Sequence, residues 1–565
     1  MKNRQIAELF ERLADALELK GESVFRVNAY RKAGRVLRDL TSDIEVLHSE
    51  GKLKEIPGIG EGISKKIDEY LTTGKMSKYV EATEGIGEEL LDLLGVQGLG
   101  PKTLALAHDK LGVMNLEDLK KVIGDGALAR LPGMGEKRIE NIVKGIDLFE
   151  KAKGRMPLGK AVPIAREIVE AIKSEKGLKE ISPAGSLRRM AETVGDIDIL
   201  AAGARRLGIV KSFTQLPFVT DVLASGDTKG SVMIDGETQV DLRVVKRAAY
   251  GAALQYFTGS KSHNVKLRTM ARAKGLRLSE YGIFKGAKKI AGAKEEDVYG
   301  ALGLSWIPPE LREDRGEVEA AQSGKLPALV EEVDILGDLH VHSSYSDGSS
   351  SIAELAAAAK KLGLKYIAIC DHSKYAKYAG GIDEKALARQ AKEIDELNER
   401  LRGFRVLKGI EVDILRDGSL DFTDHILEKL DIVVASIHSG FRQNVTQRMM
   451  RAMRNPHVDV ISHPTGRLIS RREGYEVDIQ AVIKTAAETG TALEINAYYD
   501  RLDLNDLNAK KAKEMGVKMS IGTDSHGVET LWFLSLGVGV ARRGWLEGKD
   551  LLNSLDADDL LRRNK

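Results

Sequence analysis

From residue 334 onward the chain alternates apolar, β-rich runs with helical stretches in which apolar residues recur about every 3.6 positions. Seven such runs are ILGDLHVHS, YIAICDHS, FRVLKGIEVD, DIVVASIHS, VDVISHP, TALEINA and VKMSIGTDSH. Alternating β and α units predict a parallel barrel with its reactive side chains at the C-terminal ends of the strands. Residues 155 to 300 are patterned differently. A helix near Ile164 to Ser174 precedes β-like runs at 197–202, 219–223, 231–234 and 238–245, which predicts an α+β domain. The first 150 residues read as all-α. They open on the amphipathic MKNRQIAELFERLADALE, and three Gly-containing turns are each followed by a helix-like segment. Residues 309 to 333 are charged and lack strand periodicity, so they are expected to form a linker with a helical portion and a domain boundary near 333.

Composition narrows the class. A chain of 565 residues has core enough for several domains. It has no uninterrupted apolar run near the ~20 residues that cross a bilayer. The amphipathic, acid-bearing start lacks the apolar centre and cleavage site of a secretory signal, so the expected location is the cytoplasm, with no membrane partner. Cys370 is the single cysteine, which excludes an intramolecular disulfide framework and leaves metals to histidines and carboxylates. A formal charge of +2 says little, but between Asp241 and Gly275 eight basic residues face one acid. Such a run is either a solvated helix face or a surface for a polyanion, and its neighbours decide between the two.

The three turns place Gly58 and Gly60, Gly98 and Gly100, and Gly133 and Gly135 ahead of helices. Glycine lets the backbone approach a ligand closely, and free N–H groups at the following helix start can hold a phosphate oxygen. They look like helix-hairpin-helix elements. One turn is equally well a structural connection, whereas three at similar spacing fit a grip on DNA backbone that positions without reading sequence. In the middle region, Gly185-Ser186-Leu187-Arg188-Arg189 is followed by Gly195-Asp196-Ile197-Asp198, a phosphate-binding turn joined to two acids separated by one residue. The strand period puts both acids on one face, and an adjacent strand would bring Asp241 beside them. Three converging carboxylates can hold two Mg²⁺ or Mn²⁺ ions for nucleotidyl transfer. At or just after the ends of these C-terminal runs, TALEINA excepted, stand nine potential ligands: His340, His342, Asp347, His372, Glu411, His438, His463, Asp524 and His526. Imidazoles with bridging carboxylates suit a hydrolytic Zn²⁺ or Mn²⁺ cluster of two or three ions. Arg467 and Arg501 are candidates either to meet phosphate at the barrel mouth or to serve at the surface, while Cys370 reads as packing.

The strings GSLRRMAETVGDIDIL, QVDLRVV and YFTGSKSHNVKLRTMARAKGLRLSEYGIF resemble the nucleotidyltransferase core of the family X DNA polymerases, the polymerase beta group. VNAYRKAGRVL and IPGIGEGISKKIDEYLTTGK are similar to that family's small gap-binding domain. The resemblance implies that Asp196, Asp198 and Asp241 are catalytic metal-binding acids, and that Gly185, Ser186, Arg189 and Gly195 form the triphosphate site of the incoming nucleotide. It implies a sugar-facing turn at Tyr256, Phe257 and Gly259, a base contact at Asn264 and a template contact at Arg268. Lys66 falls at the family's Schiff-base lysine and otherwise would bind the 5′-phosphate. Departures are Gln239 in place of a primer-orienting arginine, Lys261 in place of an acid, and Gly62 and Arg26 where supporting lysines stand.

HVHSSYSDG, CDHS, GIEVD, SIHSG, SHP and GTDSH resemble the PHP family, named for polymerase and histidinol phosphatase, and all nine ligand positions are filled. The linear order resembles family X polymerases of bacteria and archaea with a fused PHP domain. That implies a helical gap and 5′-phosphate-binding domain (1–80), a helix-hairpin-helix subdomain (81–150), a palm (151–250), a nucleotide-binding subdomain (251–315), a linker (316–333) and a distorted (β/α)7 PHP barrel (334–565). The implied activity is filling of short DNA gaps in base excision repair by a monomer acting on gapped or primer-template DNA and dNTPs. The barrel would add 3′–5′ exonuclease and abasic-site endonuclease reactions. Two other readings remain: a polymerase whose barrel serves another phosphoester or only structure, and a DNA-end-binding scaffold with both centres inactive.

Overall fold

The structure is a computed structural model that describes residues 2–40, 44–56, 59–96, 98–152 and 154–562. Gly58 lies outside the described residues. The chain divides into two compact units, one made mainly of residues 1–153 and the other mainly of residues 154–565.

The first unit is helical. In helix Lys2–Leu19, Ile6, Ala7, Phe10, Leu13, Ala14 and Leu17 repeat at helical spacing and are buried, so one stripe of an otherwise charged helix supplies the centre of this unit's core. Helix Glu61–Thr73 starts at Gly60 and helix Pro101–Leu111 at Gly100, while helix Glu136–Ala152 follows Gly135. Gly98 and Gly133 take φ of +87° and +77°, a left-handed turn that glycine enters at no steric cost.

The second unit contains both predicted β systems. A five-stranded sheet runs in the order Leu178–Pro183, Ile197–Gly203, Thr238–Val245, Lys229–Ile234, Val219–Ser225. The second and third of these are parallel and the other pairs antiparallel. Strict alternation of buried and half-buried positions along Thr238–Val245 marks a strand with one face on the core. The edge strand Leu178–Pro183 was not expected, because LKEISP carries no alternation and is exposed or half-buried throughout. Helices Tyr250–Thr258 and Lys261–Ala273 lead into a three-stranded antiparallel sheet and helix Glu295–Ala301.

The segment expected to be a linker is partly built into this layer. Helix Glu317–Gln322 buries Val318 and Ala321 against Leu267, Ile283 and Val298, and the buried Glu317 carboxylate lies 2.7 Å from His263 Nδ1. Apolar residues one helical turn apart give these few charged residues a face to pack, which a composition reading does not register.

The barrel has the seven expected strands, all parallel and in sequence order, from Gly337–Val341 to Met519–Gly522. The His342 amide donates to the Ser525 carbonyl at 2.8 Å and the Asp524 amide to the His340 carbonyl at 2.9 Å, so the first and last strands meet just past their ends. These strands are buried on both faces, as parallel strands wrapped by helices must be, which accounts for their near-continuous apolar sequence.

Candidate active sites

In the five-stranded sheet, parallel pairing sets Asp198 directly opposite Asp241. Asp196 is exposed in the turn that leads into the Asp198 strand. Burial and the charges of Asp196 and Asp241 push the Asp198 carboxyl up to about 7, against the pull of Lys229 and Arg189. A half-buried carboxylate beside two others, held towards its neutral form first by burial and then by their charges, fits a site for divalent cations, which would relieve the repulsion. Asp241 accepts from Ser231 Oγ at 2.5 Å and Gln239 Nε2 at 3.1 Å, and lies 2.8 Å from Lys229 Nζ. Sequence reading missed Lys229. It lies on the neighbouring antiparallel strand and no local motif flags it. Asp198, Asp241, Lys229, Arg243 and Phe257 line a cavity of about 100 Å³.

The turn ahead of this strand is packed onto it. Gly185 takes φ of +60°, and a Cβ there would stand 2.3 Å from Asp198 Oδ2, so only glycine allows the approach. Ser186 lies in the one-turn helix Gly185–Arg188, and Gly195 precedes Asp196. The adjacent arginines divide their work. Arg188 forms a fork with Glu295, both bonds at 2.8 Å, in a pair with little exposure. Arg189 donates to the Thr258 carbonyl at 2.6 Å and to Glu313 Oε1 at 2.9 Å, and its Nη1 lies 3.2 Å from where a Cβ on Gly259 would be. Gly185, Arg189, Asp198 and Gly259 therefore share one neighbourhood. Tyr256 and Phe257 meet edge to face at 5.2 Å. Asn264 is turned inward, accepting from Gln255 Nε2 at 2.6 Å and donating to the Tyr256 carbonyl at 2.7 Å. Arg268 lies one helical turn further along the same helix, half-buried. In the helical unit, Lys66 Nζ sits over the Tyr30 ring at 5.6 Å and donates to the Gly62 carbonyl at 3.0 Å.

The barrel mouth gathers all nine expected ligands around Glu411. Its Oε1 lies 3.2 Å from both His438 Nε2 and His463 Nε2. Its Oε2 lies 2.8 Å from His372 Nδ1 and 3.7 Å from the Nε2 atoms of His340 and His342. His342 Nε2 is 3.1 Å from Asp524 Oδ1 and 3.2 Å from His340 Nε2. Asp347 Oδ1 is 3.2 Å from His526 Nε2 and 3.7 Å from His372 Nε2. Three groups of ligand atoms thus converge: His342, Asp347, His372 and His526; His340, His342 and Asp524; His372, Glu411 and His438. His342 and His372 each belong to two groups.

The donor set fits metal ions on its own chemistry. Glu411 Oε2 is buried without a hydrogen bond although several imidazoles surround it, and His342 Nδ1 and His463 Nδ1 are also unpartnered. Such groups are costly to bury unless something else occupies their lone pairs. Burial, with His526 and His372 adding to it, pushes His342 down to about 3, so its ring is neutral as a ligand requires. At His438, burial is overridden by Glu411 and Asp413, which pull the ring up to about 10.

Behind the ligands stands a layer that sequence reading did not single out. Glu494 Oε1 lies 2.7 Å from His340 Nδ1, and its Oε2 accepts from Ser462 Oγ at 2.6 Å and the His463 amide at 2.8 Å. Asp413 faces His438 Nδ1 at 3.3 Å, and Asn496 donates to Asp524 Oδ2 at 3.1 Å. Such partners set ring orientation and tautomer. The signal was present: Glu494 and Asn496 are polar residues set inside the apolar run TALEINA. His463 and Asp524 hold positive φ, +29° and +54°, as the chain turns out of the barrel. Of the two mouth arginines, Arg467 is spent on the carbonyls of Arg501 and Leu502 and on Glu192. Arg501 is different: it lies 3.6 Å from Asp524 Oδ2 and its buried Nη1 has no hydrogen-bond partner. Cys370 is fully buried, with its thiol pushed up by that burial, as packing requires.

Comparison with known proteins agrees with this geometry. Family models match a helix-hairpin-helix domain at residues 1–76, a SAM-like helix-hairpin-helix tandem at 90–147, a DNA polymerase beta thumb at 253–313 and a PHP domain at 338–515. The chain is 42% identical over 574 residues, 100% of both chains, to the DNA polymerase/3′-5′ exonuclease PolX of Bacillus subtilis (strain 168). A probable phosphatase of Thermoanaerobacter sp. (strain X514) is 36% identical over 203 residues, 34% of this chain and 78% of that protein. DNA polymerase lambda of Arabidopsis thaliana is 29% identical over 347 residues, 55% of this chain and 62% of that protein. None of the described helices is long and apolar enough to cross a membrane. With the three carboxylates of the five-stranded sheet and the histidine-rich cluster of the barrel mouth in one chain whose full length matches such a relative, the protein belongs to the family X DNA polymerases that carry a fused PHP domain.

Proposed function

We propose that this protein is a DNA-directed DNA polymerase that fills short gaps during base excision repair and trims 3′ ends with its barrel. The observation that carries the reading is the pairing of Asp198 with Asp241 across two parallel strands, beside a glycine turn that ends on Arg189. Asp196, Asp198 and Asp241 would hold a pair of Mg²⁺ or Mn²⁺ ions, and the nine barrel ligands two or three Zn²⁺ or Mn²⁺ ions. When bound, these ions would supply Lewis-acid stabilisation of charge at the reacting phosphorus and on the departing oxygen.

The chain's own residues do the rest. Asp241, held by Ser231, Gln239 and Lys229, presents its carboxylate in one fixed orientation towards the primer end. Gly185 brings the backbone close enough for Ser186 and Arg189 to hold the triphosphate, with Gly195 closing that side. The turn at Tyr256, Phe257 and Gly259 packs against the sugar, and Arg268 meets the template. Because Asn264 is engaged with Gln255 and Tyr256, it would reach the base edge by exchanging one of these partners. Gly60, Gly98, Gly100, Gly133 and Gly135 let helix starts approach DNA phosphates, and Lys66 takes the 5′-phosphate. In the barrel, the free Arg501 donor would hold a non-bridging oxygen of the phosphodiester, and abasic-site cleavage would draw on the same ligands. Substrates are gapped DNA and dNTPs, handled by a monomer.

The test uses a 5′-labelled primer in gapped DNA with Mn²⁺, run with and without dNTPs. Asp241→Ala should abolish extension and keep shortening, while His342→Ala should do the reverse. Shortening that persists in His342→Ala would remove the nuclease from the barrel. Wild-type protein that binds the DNA but neither extends nor shortens it would favour a scaffold.

A further inference from the structure

The nucleotide end of the polymerase core is wired to the barrel. Arg543, the last residue of barrel helix Leu534–Arg543, has only 9% of its side chain exposed. Its Nη1 donates to Glu313 Oε1 at 3.0 Å and to the Arg189 carbonyl at 2.8 Å, and its Nη2 donates to Asp506 Oδ2 at 2.9 Å. Asp506 is also bound by Arg315 at 2.8 Å. Glu313 Oε1 thus accepts from two arginines at once, Arg189 at 2.9 Å and Arg543 at 3.0 Å. Arg188 is committed elsewhere, to Glu295 through a two-bond fork, so of the two adjacent arginines Arg189 is the one with a partner it can exchange.

For Arg189 to bind a triphosphate with its Nε edge, it must give up Glu313. A poorly exposed carboxylate left without a counter-charge is expensive, and that cost would be charged against nucleotide binding. Arg543 is anchored by Asp506 and stays when Arg189 turns away. We propose that Arg543 is a positioning residue for nucleotide binding: by sharing Glu313, it keeps that carboxylate neutralised and frees Arg189 for the triphosphate. This rests on the reading of Arg189 as a triphosphate contact. The barrel then has a part in polymerisation that does not involve its metal ligands, and loss of the barrel would weaken nucleotide binding even with all polymerase acids in place.

The experiment is steady-state single-nucleotide incorporation on gapped DNA with the full chain, comparing wild type, Arg543→Gln, Glu313→Gln, the double variant and Arg189→Ala. Arg543 borders a cavity of about 240 Å³, so the shorter Gln extends existing space. Arg543→Gln should raise the KM for dNTP about tenfold, the scale of one charge-assisted hydrogen bond, with kcat little changed. Glu313→Gln should leave KM at or below wild type, and the double variant should match Glu313→Gln, because Arg543 acts through Glu313. Shortening of a 3′ end should be the same in wild type and Arg543→Gln. A merely structural role would lower kcat or stability and would not be rescued by Glu313→Gln. The inference is overturned if Arg189→Ala raises KM and Arg543→Gln does not, or if the rise in Arg543→Gln survives in the double variant. If Arg189→Ala leaves KM unchanged, the reading of Arg189 falls and takes this inference with it.

Discussion

Glu295 is the most heavily used carboxylate of the polymerase core, and replacing it with Gln tests how that core is held together. It accepts a fork from Arg188 at 2.8 Å, a bond from Arg312 Nη1 at 2.7 Å and one from Trp306 Nε1 at 3.2 Å. Its side chain is 5% exposed and that of Arg312 is fully buried. Burial alone would raise its pKa, but Arg188 and Arg312 overrule it and bring the carboxyl from 4.5 to about 2. At ~1.4 kcal/mol per pKa unit that shift is worth about 3 kcal/mol of folding free energy, similar to the ~3–5 kcal/mol lost when one partner of a buried pair is removed. The sign follows from the depressed carboxylate. The contribution is complete above the unfolded value of 4.5 and disappears as pH falls through about 2, because the unfolded chain takes up the proton first. Glu295→Gln should therefore destabilise the core by about 3 kcal/mol at pH 7, and the gap to wild type should close as pH drops below 4.5. Urea unfolding followed by Trp306 fluorescence, with Trp532 and Trp545 replaced by Phe in both proteins, reads this locally. A gap under ~0.5 kcal/mol at pH 7, the noise level of a surface substitution, would refute the reasoning. So would a gap that stays constant down to pH 3.

Three further outcomes follow from the geometry. Gly185→Ala forces a Cβ to 2.3 Å from Asp198 Oδ2 at a φ of +60°. Single-turnover incorporation should fall ~10²-fold, the usual cost of displacing a reacting group by about an ångström, while 3′ shortening is unchanged. Glu494→Gln removes the charge that orients His340, so competition with a chromophoric chelator should show Mn²⁺ bound ~10–100-fold more weakly in the barrel. Protein stripped of metal should melt lower, and Mn²⁺ at ~100 times its Kd should restore about 2.7 kcal/mol of stability; identical melts with and without Mn²⁺ would argue against an ordered metal cluster.

What the sequence determined by itself was local. Period-2 and period-3.6 patterning located the barrel strands and most strands of the five-stranded sheet, because which face a side chain takes depends only on its own element. The same rule put the nine candidate ligands at or just past strand ends and made one face of a strand the place for the paired acids. The glycine pairs were legible as tight turns ahead of helices, and the structure adds that Gly98 and Gly133 hold positive φ. Tertiary structure alone decided which of two adjacent arginines stays exchangeable. Arg188 is claimed by Glu295 and Arg189 by Glu313, partners more than 100 positions away in the chain. It also decided that Asn264 turns inward, that Lys229 neutralises Asp241, that Glu494 stands behind His340, and that the charged stretch at 317–322 is packed through Val318 and Ala321. These are meetings between elements remote in sequence, and their energies depend on burial and on which opposite charge lies nearest. Neither quantity exists until the layers close on one another.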